Sequence, residues 1–185
     1  EMQVLTPEEI QRLLIQAKED NRFDLLLLEL STGLRRGEIC ALQWDDLNLR
    51  TGELRVQRQV HRIKSKLVAS PPKTKAGNRS VILPVPVLGV LKAYKKTVNS
   101  RWMFPSPVSV DSPRDPAAVR KKLQTVLERA ECKKIRFHDL RHTFSTTALE
   151  HGMDIKTLST IIGHVSSSTT LNIYAHVTDE MRRTA

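Results

Sequence analysis

Apolar residues along the chain follow a helical period first, then strict alternation, then a helical period again. Ile10, Leu13, Leu14 and Ala17 recur at the i, i+3, i+4 spacing of one helix face. The start of that helix is written in Thr6-Pro7-Glu8-Glu9, with Thr6 as N-cap, Pro7 in the first turn and Glu9 closing a capping box. A second helix is predicted over about 23–30, stopping near Thr32-Gly33. A third, from Arg36 to about Gln43, turns Ile39 and Leu42 inward. The stretch Asp45-Asp46-Leu47-Asn48 through Thr51-Gly52 is rich in turn formers and closes this block.

The period then changes to two. Leu54, Val56, Arg58 and Val60 alternate with Arg55, Gln57, Gln59 and His61, which predicts a strand. The loop SPPKTKAGNRS follows, and then a short β run over 81–83 ended by Pro84. Together these predict a small antiparallel sheet of two or three strands. The remainder reads as helices over 87–98, 116–130, 138–150, 155–162 and 169–175. Asp154 is an expected N-cap, and Gly152 and Gly163 are expected C-caps. Residues 103–115, with Pro105, Pro107 and Pro113, read as a surface connection. The expected fold class is mainly α with a small antiparallel sheet, an α+β arrangement around one core, which suits a chain of 185 residues.

Composition narrows the partners. Net charge is +10 at a pI near 9.9, a range in which nucleic acid is the natural ligand. The excess is concentrated. From Leu54 to Val110 there is no Asp or Glu, while Arg55, Arg58, Arg62, Lys64, Lys66, Lys73, Lys75, Arg79, Lys92, Lys95, Lys96 and Arg101 all fall inside that window. A basic solvated surface would explain the charge, but a face that meets a polyanion explains its segregation better. We expect Arg55, Arg58, Arg62, Lys64, Lys66, Lys73 and Arg79 to contact DNA phosphates. Aromatic residues are only 4%, which disfavours a base-stacking platform for single strands and points to duplex DNA. No apolar run is long enough to cross a bilayer, and the N-terminus is not a signal peptide, so a cytoplasmic, DNA-associated protein is expected. Cys40 and Cys132 lie far apart without a CxxC partner, against a disulfide or zinc framework.

The densest chemistry lies in FHDLRHTF. On a helix, His138, Arg141 and His142 share one face. The HxxxH spacing suits a metal, but a zinc peptidase needs Glu after the first His, and Asp139 stands there instead. Histidines that merely cap or pack beneath a helix are a second reading. The third is an oxyanion site, because an arginine fork matches two phosphate oxygens and a nearby histidine can move a proton. Upstream, Thr32-Gly33-Leu34-Arg35-Arg36-Gly37-Glu38 sets an arginine just past a glycine turn, with an acid three residues on. Downstream come Ile162-Gly163-His164 and then Tyr174. A tyrosine is a possible nucleophile, but with a pKa near 10 it needs a base or a stabilised oxyanion.

The ordered set TGLRRGE, KTKAGNRSVILP, FHDLRHTF, IIGHVSSSTTLNIY and AHV, from Thr32 to Val177, closely resembles the catalytic domain of the tyrosine recombinases, the phage-integrase family. The resemblance implies that Arg35 and Arg141 bind the scissile phosphate, that His138 and His164 are the two catalytic histidines, and that Tyr174 is the nucleophile. It implies a hairpin lysine as general acid, best matched by Lys75 with Lys73 as the alternative, and Glu38 in a supporting acidic position. It further implies site-specific cleavage and rejoining of duplex DNA through a 3′-phosphotyrosine, with no metal and no cofactor. A homotetramer at synapsis is implied too, with an accessory excisionase or host DNA-bending proteins as possible partners. On this reading residues 1–185 are the catalytic domain, and the N-terminal DNA-binding domains of such enzymes are expected upstream. The long hairpin resembles integrases of phages and conjugative transposons more than chromosome-dimer-resolving recombinases. Rival readings are a helix-turn-helix repressor around Leu149–Asp154, a type IB topoisomerase-like enzyme and a zinc hydrolase.

Overall fold

The computed structural model describes residues 2–163 and Arg183. The expected helix at 169–175, His164 and Tyr174 lie outside the described residues. Seven helices and six short strands are present among those described: α1 (Pro7–Glu19), α2 (Phe23–Thr32), α3 (Arg36–Cys40), α4 (Val85–Lys95), α5 (Pro116–Arg129), α6 (Phe137–Glu150) and α7 (Ile155–Ile162), with β1 (Glu53–Val56), β2 (Gln59–Ile63), β3 (Lys66–Ser70), β4 (Arg79–Ile82), β5 (Pro105–Ser106) and β6 (Ser109–Pro113). Local chemistry sets several boundaries. The Thr6 hydroxyl accepts from Glu9 N while the Glu9 carboxylate accepts from Thr6 N, the complete capping box. Asp154 caps α7 by accepting from Thr157 N. Gly33 and Gly163 end α2 and α7 in the left-handed conformation.

The core is one large apolar cluster, with a smaller one of Leu149, Leu158 and Ile162 where α6 meets α7. α1, α2, α5 and α6 pack about Leu13, Leu28, Leu34, Ile39, Leu123, Leu127 and Leu140, all essentially inaccessible. α2 lies against α6, and at that contact Gly33 sits beneath the Phe144 ring. A Cβ on Gly33 would come within 2.5 Å of Phe144 Cδ1. The N-terminal segment is tied to the same helix, since Leu5 N donates to the buried Thr143 hydroxyl at 3.2 Å.

Two expectations about the strands and their connections need correction, besides α3 stopping at Cys40 short of Gln43 and α4 running over Val85–Lys95 in place of 87–98. The alternating run predicted as one strand is broken at Gln57-Arg58 into β1 and β2, and the expected single sheet is three separate two-stranded ones. β1 pairs with β4, β2 with β3, and β5 with β6, all antiparallel. The break is chemical. Gln57 Nε2 and Arg58 Nη1 both turn to the buried Asp46 carboxylate, at 2.6 and 2.5 Å, so these side chains serve an ion cluster in place of strand alternation. The second correction concerns 103–115. Its tip is exposed at Val108, but Met103 and Phe104 are buried in the core, and Pro105 and Pro113 face each other across a true hairpin with Pro107 in its turn.

Candidate phosphate-binding site

The site is assembled where α2, α3, α6 and α7 end or begin. Arg35 is the N-cap of α3, half-buried, with its backbone N–H donating to Glu38 Oε1 at 2.8 Å. Its Nη2 donates to the Gly163 carbonyl at 3.3 Å. Arg141 projects from α6 and is 2% exposed. Its Nη2 donates to the Ile162 carbonyl at 2.6 Å and its Nη1 to the Gly33 carbonyl at 2.7 Å. The guanidinium groups of residues 35 and 141, far apart in the chain, therefore converge on consecutive carbonyls at the C-terminal end of α7. The last carbonyls of a helix generally lack intrahelical partners and carry the negative end of its dipole, so cations are favoured there.

Electrostatics follow from that crowding. Burial, with the nearby Arg35, pulls Arg141 down to about 10, still protonated at neutral pH. His138 lies one turn before Arg141 with an exposed edge, and its ring meets His142 edge-on at 4.6 Å between centroids. Loss of hydration, then the neighbouring His142, Arg141 and Arg136 charges, push His138 down to about 4, so it is a neutral imidazole at pH 7. His142 is also lowered, chiefly by burial, against the opposing pull of Asp139. Asp139 is buried and spent on structure. It accepts from the Arg136 backbone N–H at 2.9 Å and from the Arg136 guanidinium at 3.0 and 3.1 Å, which fixes the first turn of α6 and with it the direction of His138. Among the described residues no group of three or more His, Cys, Asp or Glu is placed to hold a metal ion.

Glu38 is 3% exposed and joins the two flanks of the site. Besides Arg35 N–H and an Arg35 Nη1 contact at 3.7 Å, it receives Arg79 Nη1 at 2.7 Å and Nη2 at 3.1 Å. Removing one member of such a buried pair typically costs about 3–5 kcal/mol, because the other is left uncompensated. Lys75 stands in a one-turn 3-10 segment, Lys75–Gly77, between β3 and β4, with its side chain exposed. Lys73 is exposed two residues earlier.

The basic residues of the central segment divide into two groups. Arg55, Lys64, Lys66 and Lys73 are exposed, the middle two flanking the β2–β3 turn, where Lys64 and Ser65 both have positive φ. Arg58 is half-buried against Asp46, and Arg62 is paired with Asp115 at the N-cap of α5. Arg79 departs from the expectation of a phosphate contact. It is buried and its donors are turned inward, so it presents no charge at the surface. Sequence reasoning also missed Glu29, which is fully inaccessible on α2, with neither carboxylate oxygen partnered among the described residues. Its only signal was an acid set between Leu28 and Leu30 in an otherwise apolar run.

Residues 3–181 match the model of the phage integrase family. The chain belongs to that family. Among curated relatives of the family, it is 30% identical to the tyrosine recombinase XerC-like protein of Caldanaerobacter subterraneus subsp. tengcongensis, over all of this chain and 53% of that one. It is 32% identical to tyrosine recombinase XerA of Pyrococcus furiosus, over 94% of this chain and 57% of that one. It is 30% identical to the transposase of Tn916 from Enterococcus faecalis, over 95% and 48%. The chain thus spans about half the length of these relatives. Its fold matches that of the Tn1549 transposon integrase bound to circular intermediate DNA, with TM-score 0.84, 25% identity, and 100% of this chain and 68% of that one covered. It also matches the XerA recombinase, with TM-score 0.80, 26% identity, and 98% and 63% covered. No helix among the described residues is long and apolar enough to cross a membrane.

Proposed function

We propose that this chain is the catalytic domain of a site-specific DNA recombinase that cuts and rejoins duplex DNA through a covalent tyrosine intermediate. The observation that carries the reading is the convergence of Arg35 and Arg141 at the end of α7, with His138 one turn away on the same helix as Arg141. In the proposed reaction the Tyr174 phenolic oxygen attacks a backbone phosphorus. The new O–P bond replaces the bond to the 5′-oxygen and leaves a 3′-phosphotyrosine, and a 5′-hydroxyl from another strand later reverses the exchange. The phosphodiester energy is retained, so no nucleotide cofactor is needed.

Each residue supplies a part that phosphoryl transfer requires. Arg35 and Arg141 hold non-bridging oxygens and stabilise the charge that grows on them. His138, neutral at pH 7, takes the Tyr174 proton. His164 adds a donor, and Lys75 protonates the departing 5′-oxygen. Arg55, Lys64, Lys66 and Lys73 neutralise flanking phosphates without reading sequence. Synapsis of two duplexes calls for four protomers, and accessory DNA-bending proteins would set the direction of exchange. An enzyme of this kind works on DNA in the cytoplasm, and the likeness to Tn916 transposase and Tn1549 integrase favours a mobile element.

The test is a nicked suicide duplex carrying the recombination site, incubated with the full-length protein in EDTA and run on a denaturing gel. We expect a protein–DNA adduct that is lost in Tyr174→Phe while duplex binding survives. An adduct mapping to another side chain, or binding with no adduct at all, would overturn the proposal.

A further inference from the structure

Arg79 is 4% exposed at its side chain and binds three separate segments at once. Nη1 and Nη2 meet the two Glu38 oxygens, Nε donates to the Ile161 carbonyl at 2.6 Å, and Nη1 also reaches the Gly77 carbonyl at 2.9 Å. Four of the five N–H donors of an arginine are thereby engaged within the protein. The segments joined are α3, which follows Arg35, the last turn of α7, and the 3-10 turn that contains Lys75. A second contact makes the same junction. Gly163 lies so close to that turn that a Cβ would stand 2.8 Å from the Ala76 carbonyl oxygen and 2.9 Å from Arg79 Nη1. Lys75 itself is exposed, and among the described residues its turn is otherwise closed by its own short-range backbone bonds, Gly77 N to Thr74 O and Asn78 N to Lys75 O, both 3.1 Å.

We infer that Arg79 is a positioning residue for leaving-group protonation: it anchors the Lys75 turn to α3 and to the end of α7, so that the lysine is held over the phosphate gripped by Arg35 and Arg141. The inference rests on the reaction proposed above. A lysine at 79 would keep the charge but could not bridge three segments, because a point ammonium lacks the planar fork of donors.

In the proposed step the Tyr174 proton passes to His138, the Tyr174 O–P bond forms, the P–O5′ bond breaks, and a proton from Lys75 Nζ passes to O5′. If sulfur replaces the bridging 5′-oxygen, the P–S bond breaks and a thiolate departs without needing that proton. The experiment measures single-turnover cleavage by the full-length protein on two duplexes, one ordinary and one with the bridging sulfur. Arg79→Lys should cleave the ordinary duplex slower by on the order of 10²-fold, and the sulfur duplex at close to the wild-type rate. Lys75→Ala should show the same pattern, and Arg79→Lys should add almost nothing to it. Arg35→Ala should be slow on both duplexes. Equal slowing of Arg79→Lys on both duplexes, or no slowing on the ordinary one, would overturn the role of Arg79 and leave Lys75 as general acid. If Lys75→Ala is not rescued by sulfur, the lysine assignment and the Arg79 inference fall together, with the tyrosine adduct still standing. Should Arg79→Lys not fold, Gly77→Ala decides. Its Cβ would press within 2.6 Å of Pro72 Cβ and displace the turn without touching Arg35 or Glu38. Sulfur rescue of Gly77→Ala upholds the inference, and its absence refutes it.

Discussion

His138 shows how one environment can set a proton's direction. Partial burial and cationic neighbours disfavour the imidazolium, so the folded pKa of about 4 lies well below the ordinary 6.5. The sign is that of a depressed group. The neutral ring persists as pH falls through 6.5, and the stability it contributes is present above that value and lost as pH falls toward 4. A single-turnover cleavage profile should therefore stay level as pH drops through about 6.5, and a fall centred there would contradict the assignment. Glu29 has the opposite sign. Burial raises its carboxyl well above 4.5, with Glu38 adding to that and Arg141 and Arg79 opposing it. The stability linked to it is present below 4.5 and lost as pH rises toward the folded value. Glu29→Gln should flatten this dependence, gaining stability relative to wild type in denaturant melts as pH rises above 4.5. A variant with an unchanged slope would show that Glu29 is ionised in the fold.

The elements were legible in proportion to how regular their patterns are. α1, α5 and α7 carry caps and clean apolar spacing; α1 starts after its Thr6 cap as expected, and the bounds of α5 and α7 fall within a residue of those expected. The sheet was less legible, because alternation alone could not register that Gln57 and Arg58 turn to Asp46, eleven and twelve residues back. The segment 103–115 misled for a different reason. Its prolines speak of a surface loop, while Met103 and Phe104 fill the core and Tyr94 stacks on Phe104 with ring centroids 5.6 Å apart. Phe104→Ala should cost about 3–5 kcal/mol in a denaturant melt, as a core aromatic does. A loss below ~0.5 kcal/mol, typical of an exposed connection, would refute that packing. The residue types of the candidate site could be picked out because HxxR and the glycine-arginine turn are compact in sequence. The pairing of Arg79 with Glu38 could not, since it joins residues 41 apart in the chain, and Glu29 left only the faint mark of an acid between two leucines.

At the scale of the molecule the charge is divided between working surface and internal fastening. Arg58 and Arg79 are committed to Asp46 and Glu38 inside the fold, and the exposed Arg62 is paired with Asp115, while Arg55, Lys64, Lys66 and Lys73 are exposed without such a pairing among the described residues. If these four meet the duplex, affinity should fall with salt by roughly 0.9 log units per log unit for each phosphate neutralised. Lys64→Ala combined with Lys66→Ala should flatten a binding isotherm series by about two such steps, and an unchanged slope would remove the hairpin from the interface. Arg141, by contrast, spends its resting donors on two peptide oxygens, and the Glu29 carboxyl near it is held toward its neutral form. Among the described residues no carboxylate holds the Arg141 donors, so a tetrahedral anion has only peptide oxygens to displace from that guanidinium; inorganic phosphate or sulfate should enter as readily as a phosphodiester, and the buffer itself becomes a competitor.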